Sequence, residues 1–169
     1  MISNVAHLQR LIKTGPIVGA ILLLVCPPFY SQRRDVCPTK VEDRELVEAV
    51  FRYQLERSVK EKRWNVFSLA FGWNPSEEGE ACVERWVDAF PDHSPPVKKF
   101  VKNQFDAERI RQEKGLVLGV AEIKQKSETE AEVEGYIFVT PGEAQGYSYS
   151  LARENGKWIV KGSKGTWTA

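Results

Sequence analysis

The last third of the chain alternates hydrophobic and polar positions with a period of two. From Glu130 to Thr140, Ala131, Val133, Ile137 and Val139 fall on one side, and Glu130, Glu132, Glu134, Tyr136 and Phe138 on the other. That pattern predicts a strand with one apolar face and one face wet at its acidic end. Leu116 to Gln125 opens on an apolar run and predicts a second strand. Ala144 to Arg153 sets Tyr147, Tyr149 and Leu151 against Ser148, Ser150 and Ala152, and Lys157 to Lys161 sets Trp158 and Val160 against Ile159. The breaks between them carry turn chemistry: Lys126-Ser127-Glu128-Thr129, Pro141-Gly142-Glu143 and Glu154-Asn155-Gly156. Asn-Gly tolerates the positive φ of a tight hairpin turn. Such short connections leave no room for crossover helices, so these neighbours pair antiparallel. Thr166-Trp167-Thr168 either extends the last strand or folds over the sheet edge.

Upstream the period changes. Leu46, Val47, Val50 and Tyr53, flanked by Phe51 and Leu55, recur at helical spacing, with Arg44, Glu48, Arg52, Glu56 and Lys60 on the wet side. The helix runs to about Lys62, and Thr39 to Glu42 fits a capping box, with Asp43 a second start. Trp64 to Trp73 reads as a strand buried in part on both faces. Asn74 or Ser76 can cap a second helix with Pro75 in its first turn, and Cys82, Val83, Trp86, Val87 and Phe90 form its apolar side. Pro91 ends it. Residues 97–114 fit either a short strand followed by a helical turn or a long irregular connection. The pattern as a whole predicts an α+β fold, N-terminal helices packed on an antiparallel sheet.

Composition narrows the class. The chain has 169 residues, 42% hydrophobic and 28% charged, which suits one globular domain with an extension. Net charge is +1 but unevenly placed. Residues 1–34 hold four of the 24 Lys/Arg and none of the 23 Asp/Glu, which leaves 20 basic against 23 acidic residues, about −3. A slightly acidic domain without a basic stripe argues against nucleic-acid binding.

The N-terminus has its own signature. Arg10 and Lys13 precede the uncharged run Gly15 to Tyr30. As a helix that run spans roughly 24 Å, short of the roughly 30 Å hydrocarbon core. A charged start, a short apolar centre and a break at Pro27-Pro28 predict a secretory signal or short membrane anchor over residues 1–30, attached through residues 15–30. Residues 31–40 read as a linker, and 41–169 as the domain. The alternative is an intracellular protein with a mis-assigned start, its true beginning near Asp35. Two cysteines lie beyond the apolar run. Cys37 and Cys82 can pair in an oxidising compartment, closing about 46 residues for at most roughly 4 kcal/mol. The plainer reading keeps Cys82 as a small buried hydrophobe and Cys37 free.

Candidate chemistry is sparse. No Cys/His cluster suggests a metal, and no phosphate loop or nucleophile motif suggests a cofactor or covalent catalysis. His93 sits beside Asp92 and Ser94, but loop neighbours cannot reproduce a triad. Asp88 follows Glu84 by four residues, which reads as a solvated pair. No residue is assigned as catalytic. Tyr53, Trp86, Tyr147, Tyr149 and Trp158 either line an aromatic pocket for a small apolar ligand or fill the core. The Glu132, Glu134, Tyr136 and Phe138 face is outer surface or a homodimer contact.

From Val41 to Ala169 the order of elements, with the Gly156-Lys157-Trp158-Ile159-Val160 turn and strand, resembles the NTF2-like superfamily of cone-shaped α+β domains. Glu48 to Gln54 and Phe71 to Ser76 are also similar to segments of small uncharacterised bacterial exported proteins. The resemblance implies a curved sheet wrapped around helices with a cavity at the wide end. It also implies either a non-enzymatic domain binding a protein or small apolar ligand, or a cofactor-independent lyase or isomerase with Asp88 or His93 as base. Fold analogy does not choose between these.

Overall fold

Six strands in the spatial order β2-β1-β3-β4-β5-β6 form one sheet, in a computed structural model that describes residues 38, 40–73, 77–101, 107–140 and 142–169. Helix α1 spans Val41–Val59 and strand β1 Val66–Phe71; helix α2 spans Glu77–Val87 and strand β2 Val97–Lys99. A short helix α3, Ala107–Gln112, precedes strands β3 (Gly115–Gln125), β4 (Glu130–Thr140), β5 (Glu143–Glu154) and β6 (Lys157–Thr168). The region 97–114 therefore holds a strand and a helical turn rather than one irregular connection.

The meander β3 to β6 is antiparallel throughout. The sheet as a whole is mixed, which corrects the expectation of a purely antiparallel one. β1 runs parallel to both β2 and β3. The cause is the connections: α2 lies between β1 and β2, and α3 between β2 and β3. A helical return brings the chain back to the same end of the sheet, so the next strand runs in the same direction. The turn Asn155-Gly156 has positive φ at both residues, 51° and 78°, the geometry its sequence predicts. Register shifts interrupt the ladder within β3 and at two points of β5–β6. Bulges of this kind bend strands and increase their twist.

The core lies between α1, α2 and one face of the sheet. Leu46, Val47, Val50, Phe51 and Leu55 of α1 meet Phe67, Leu69, Leu116, Leu118, Val120, Val133, Tyr149 and Leu151. Burying each such side chain stabilises by about 1.5–3 kcal/mol. Tyr53 lies at the rim instead, half-buried, while Gln54 takes a place in the buried stripe. The cap of α1 is Lys40, without a side-chain cap bond; Thr39 lies outside the described residues. Asn74, Pro75 and Ser76, read as the start of α2, also lie outside them. So do residues 1–37, with the apolar run, most of the linker and Cys37. Cys82 is buried and disulfide-bonded. That replaces the reading of Cys82 as a plain buried thiol. No helix among the described residues is long and apolar enough to cross a membrane.

Candidate functional site

Helix α1 buries one stripe, and its flank faces the β5–β6 hairpin. Glu45, Glu48, Ala49, Arg52, Tyr53 and Glu56 recur at three- and four-residue spacing and therefore share that flank. Opposite them stand Glu154 to Val160, the turn and first half of β6. Between the two walls runs an open groove of about 940 Å3. Beyond the lining residues helix and strand meet, where the Tyr53 hydroxyl lies 3.2 Å from Ser163 Oγ and Arg57 donates to the same oxygen at 3.3 Å.

The groove walls carry charge that is largely compensated. Arg52 bonds Glu48 at 2.8 Å, Lys161 bonds Glu154 at 2.8 Å, and Arg153 approaches Glu45 at 3.9 Å. These are exposed pairs, each worth about 0–1 kcal/mol. The floor is apolar. Trp158 is only 6% exposed, and its Nε1–H has no acceptor among the described residues. Val160, two residues on and on the same side of the strand, is half-buried against the core, while Ile159 between them points to the other face and is 42% exposed. The strand itself is the sheet's edge: among the described residues β6 pairs with β5 alone. Its second row of backbone donors and acceptors therefore borders the groove.

The five aromatic candidates do not share one cavity. Tyr53 and Trp158 line the groove. Tyr147 lines a second depression of about 360 Å3 at another rim of the sheet, with Trp64, Ile137 and Val139. There its hydroxyl donates to Gln145 Oε1 at 2.5 Å. Trp86 packs edge-on to Phe51 and against Phe71, and its Nε1–H donates to the Arg44 carbonyl at 3.2 Å. Tyr149 is a core residue. Burial pushes its hydroxyl well above the usual phenol range, so it stays protonated at any ordinary pH.

Tyr149 belongs to a polar knot that the sequence pattern hid. Gln54, 1% exposed, donates from Nε2 to Tyr149 Oη at 2.9 Å, to the Gly119 carbonyl at 3.2 Å and to the Tyr136 carbonyl at 3.4 Å. One amide thus ties α1 to three strands. The approach requires Gly135, where a Cβ would come within 2.4 Å of the Gly119 carbonyl oxygen.

The acid–base candidates fall elsewhere. Asp88 is exposed just past the end of α2. His93 is wedged edge-on against Phe67 and Phe90, and its Nδ1–H donates to the Pro95 carbonyl at 2.6 Å. Neither lines either depression. Among the described residues no cluster of His, Cys, Asp and Glu could hold a metal ion. No family model, curated protein or solved structure matches the chain.

Proposed function

We propose that residues 41–169 form an NTF2-like binding domain of the cell envelope that takes an extended segment of a partner protein in the α1–β6 groove. One observation carries this reading: an apolar trough lies directly beside the unpaired edge of β6. A strand edge offers alternating donors and acceptors that only another extended backbone can match in series. The trough adds Trp158 and Val160 as a floor for one side chain of that segment, and the charged flank of α1 gives it a polar rim. A small apolar ligand fits less well, because such ligands need most of their surface enclosed. The envelope location is supported by the charged start and apolar run of residues 1–30. The disulfide at Cys82 also supports it, because such bonds persist in oxidising compartments.

The test uses peptides selected by display against the full chain. Bound peptides are expected to shift the backbone amide signals of residues 157–161 and of the α1 flank. Ala49→Trp, which fills the trough, is expected to weaken binding at least about tenfold, or about 1.4 kcal/mol, without lowering the melting temperature. Signals that shift elsewhere, or an Ala49→Trp protein that binds like the native one, defeat the proposal. The location is tested by fractionating cells and weighing the mature chain; an intact residue 1–30 segment in the soluble cytoplasmic fraction defeats it.

A further inference from the structure

The other face of the sheet carries an arrangement that neither the core nor the groove uses. Reading across four strands in register, Gly119 of β3 pairs with Tyr136 of β4, Tyr136 with Gly146 of β5, and Gly146 with Trp167 of β6. Glycine and ring alternate. Each ring lies down over the glycine beside it: a Cβ on Gly119 would sit 2.2 Å from the Tyr136 ring, and one on Gly146 would sit 2.1 Å from Trp167 Nε1. Trp73, arriving just after β1, lies on top. Its ring stacks on Tyr136 at 5.7 Å and 20°, and meets Trp167 at 6.0 Å and 48°. The Tyr136 hydroxyl anchors the assembly by donating to the Gly72 carbonyl at 3.0 Å. The result is an aromatic shelf of two inclined planes, with Trp73 46% and Trp167 39% exposed.

Beside the shelf, on the same face, the next row is polar. Glu122, Glu134, Ser148 and Lys164 stand in cross-strand register, followed by Lys124, Glu132 and Ser150. Glu134 accepts from Lys124 at 2.6 Å; Glu132 accepts from Ser148 at 2.6 Å and pairs with Lys126 at 2.7 Å. The carboxylates are held in place by partners but keep further lone pairs for outside donors.

We propose that this shelf and the polar row beside it form a saccharide-binding site for an uncharged pyranose oligosaccharide. A sugar ring has two kinds of surface. Its C–H face is weakly positive and lies flat on the negative face of an aromatic ring. Its edge carries hydroxyls that a carboxylate or serine can accept from and a lysine can donate to. The outer face offers both, side by side, in that geometry.

Size separates this occupant from a second copy of the chain. At about 250 Å2 for a whole tryptophan, the exposed parts of Trp73 and Trp167 amount to roughly 200 Å2. A stable protein interface needs about 800 Å2 from each partner, more than half of it apolar, which is at least twice what the two tryptophans expose. The exposed area suits one or two sugar rings. Charge separates the sugar from a lipid surface. Membrane-binding faces place Lys and Arg beside their apolar residues to meet anionic headgroups. Here Lys124 and Lys126 are paired with Glu134 and Glu132, and three glutamates balance the three lysines of these rows, so the face has no excess of positive charge to draw anionic headgroups.

The test uses the full chain with tetrasaccharides of glucose and of N-acetylglucosamine, in β-1,4 and α-1,4 linkage, read by titration calorimetry. At least one is expected to bind. Trp73→Ala and Trp167→Ala are each expected to weaken it tenfold or more, and Glu134→Gln severalfold, while Ala49→Trp in the groove leaves it unchanged. Saturation-transfer NMR on the unaltered protein covers the case in which a tryptophan variant fails to fold: the C–H protons of the sugar are expected to receive saturation from aromatic protons. No binding at millimolar sugar, or binding that both tryptophan substitutions leave intact, overturns the proposal. It is also overturned if both substitutions instead abolish binding to phosphatidylglycerol vesicles or abolish a concentration-dependent dimer.

Discussion

The two faces of the sheet use aromatic residues in opposite ways. On the helix side, Tyr149, Trp86 and Phe51 are buried between the helices and the sheet, and the polar atoms of Tyr149 and Trp86 are turned inward, to Gln54 and to the Arg44 carbonyl. Rings there meet edge to face and fill volume. On the outer side, Tyr136, Trp73 and Trp167 lie along the sheet, cover glycines, and remain partly in water. The first arrangement makes a core that a helix must close. The second leaves a finished surface open to solution, which is what a binding site requires.

Substitutions should separate the faces by size of effect. Leu118→Ala, at 0% exposure beneath α1, is expected to cost about 3 kcal/mol in denaturant unfolding, since a buried leucine loses both transfer energy and packing. A cost below about 1 kcal/mol would mean that the helix side is not sealed. Tyr136→Ala removes the ring over Gly119 and the bond to Gly72, and is expected to cost about 1–2 kcal/mol in the same measurement. Equal costs at the two sites would erase the contrast. The smallest effect lies outside both faces. Glu113 is bonded by Lys98 of β2 and by Arg109 of α3, which lowers its carboxyl from 4.5 to about 2. A lowered folded-state value stabilises above the unfolded value and is lost as pH falls toward 2. Glu113→Gln should therefore lower stability at pH 7, by a small amount because the pairs are exposed, and leave it unchanged near pH 2, so that the acid limb between about pH 4.5 and 2 becomes flatter.

Local signals were legible and distant ones were not. The meander and its Asn155-Gly156 turn follow from alternation and turn chemistry within a few residues. Helix α1 follows from its 3.6-residue stripe. The parallel partners of β1 were hidden, because which strand lies beside it depends on α2 and α3 folding back. Gln54 was hidden because a polar residue on an apolar stripe looks like a mismatch until three strands bring it acceptors. The groove could not be read from spacing either, since its walls are about a hundred residues apart and meet only through the helix-to-sheet contact. The outer shelf was half visible. The sequence marks Tyr136 and Phe138 as an outward apolar pair and Trp167 as a trailing patch, but Trp73 joins them only in three dimensions.

The tryptophans divide along the same line, with an experimental consequence. Of the five, Trp86 and Trp158 are buried on the helix side, Trp73 and Trp167 face solvent on the other, and Trp64 is half-buried and belongs to neither pair. Intrinsic emission of a Trp64→Phe protein should therefore be a sum of a blue and a red component with separate origins. A soluble quencher such as iodide will reach the red pair first. Its action reports what happens on the outer surface while the blue pair still reads whether the interior is intact, so the molecule needs no attached dye to tell occupancy from unfolding.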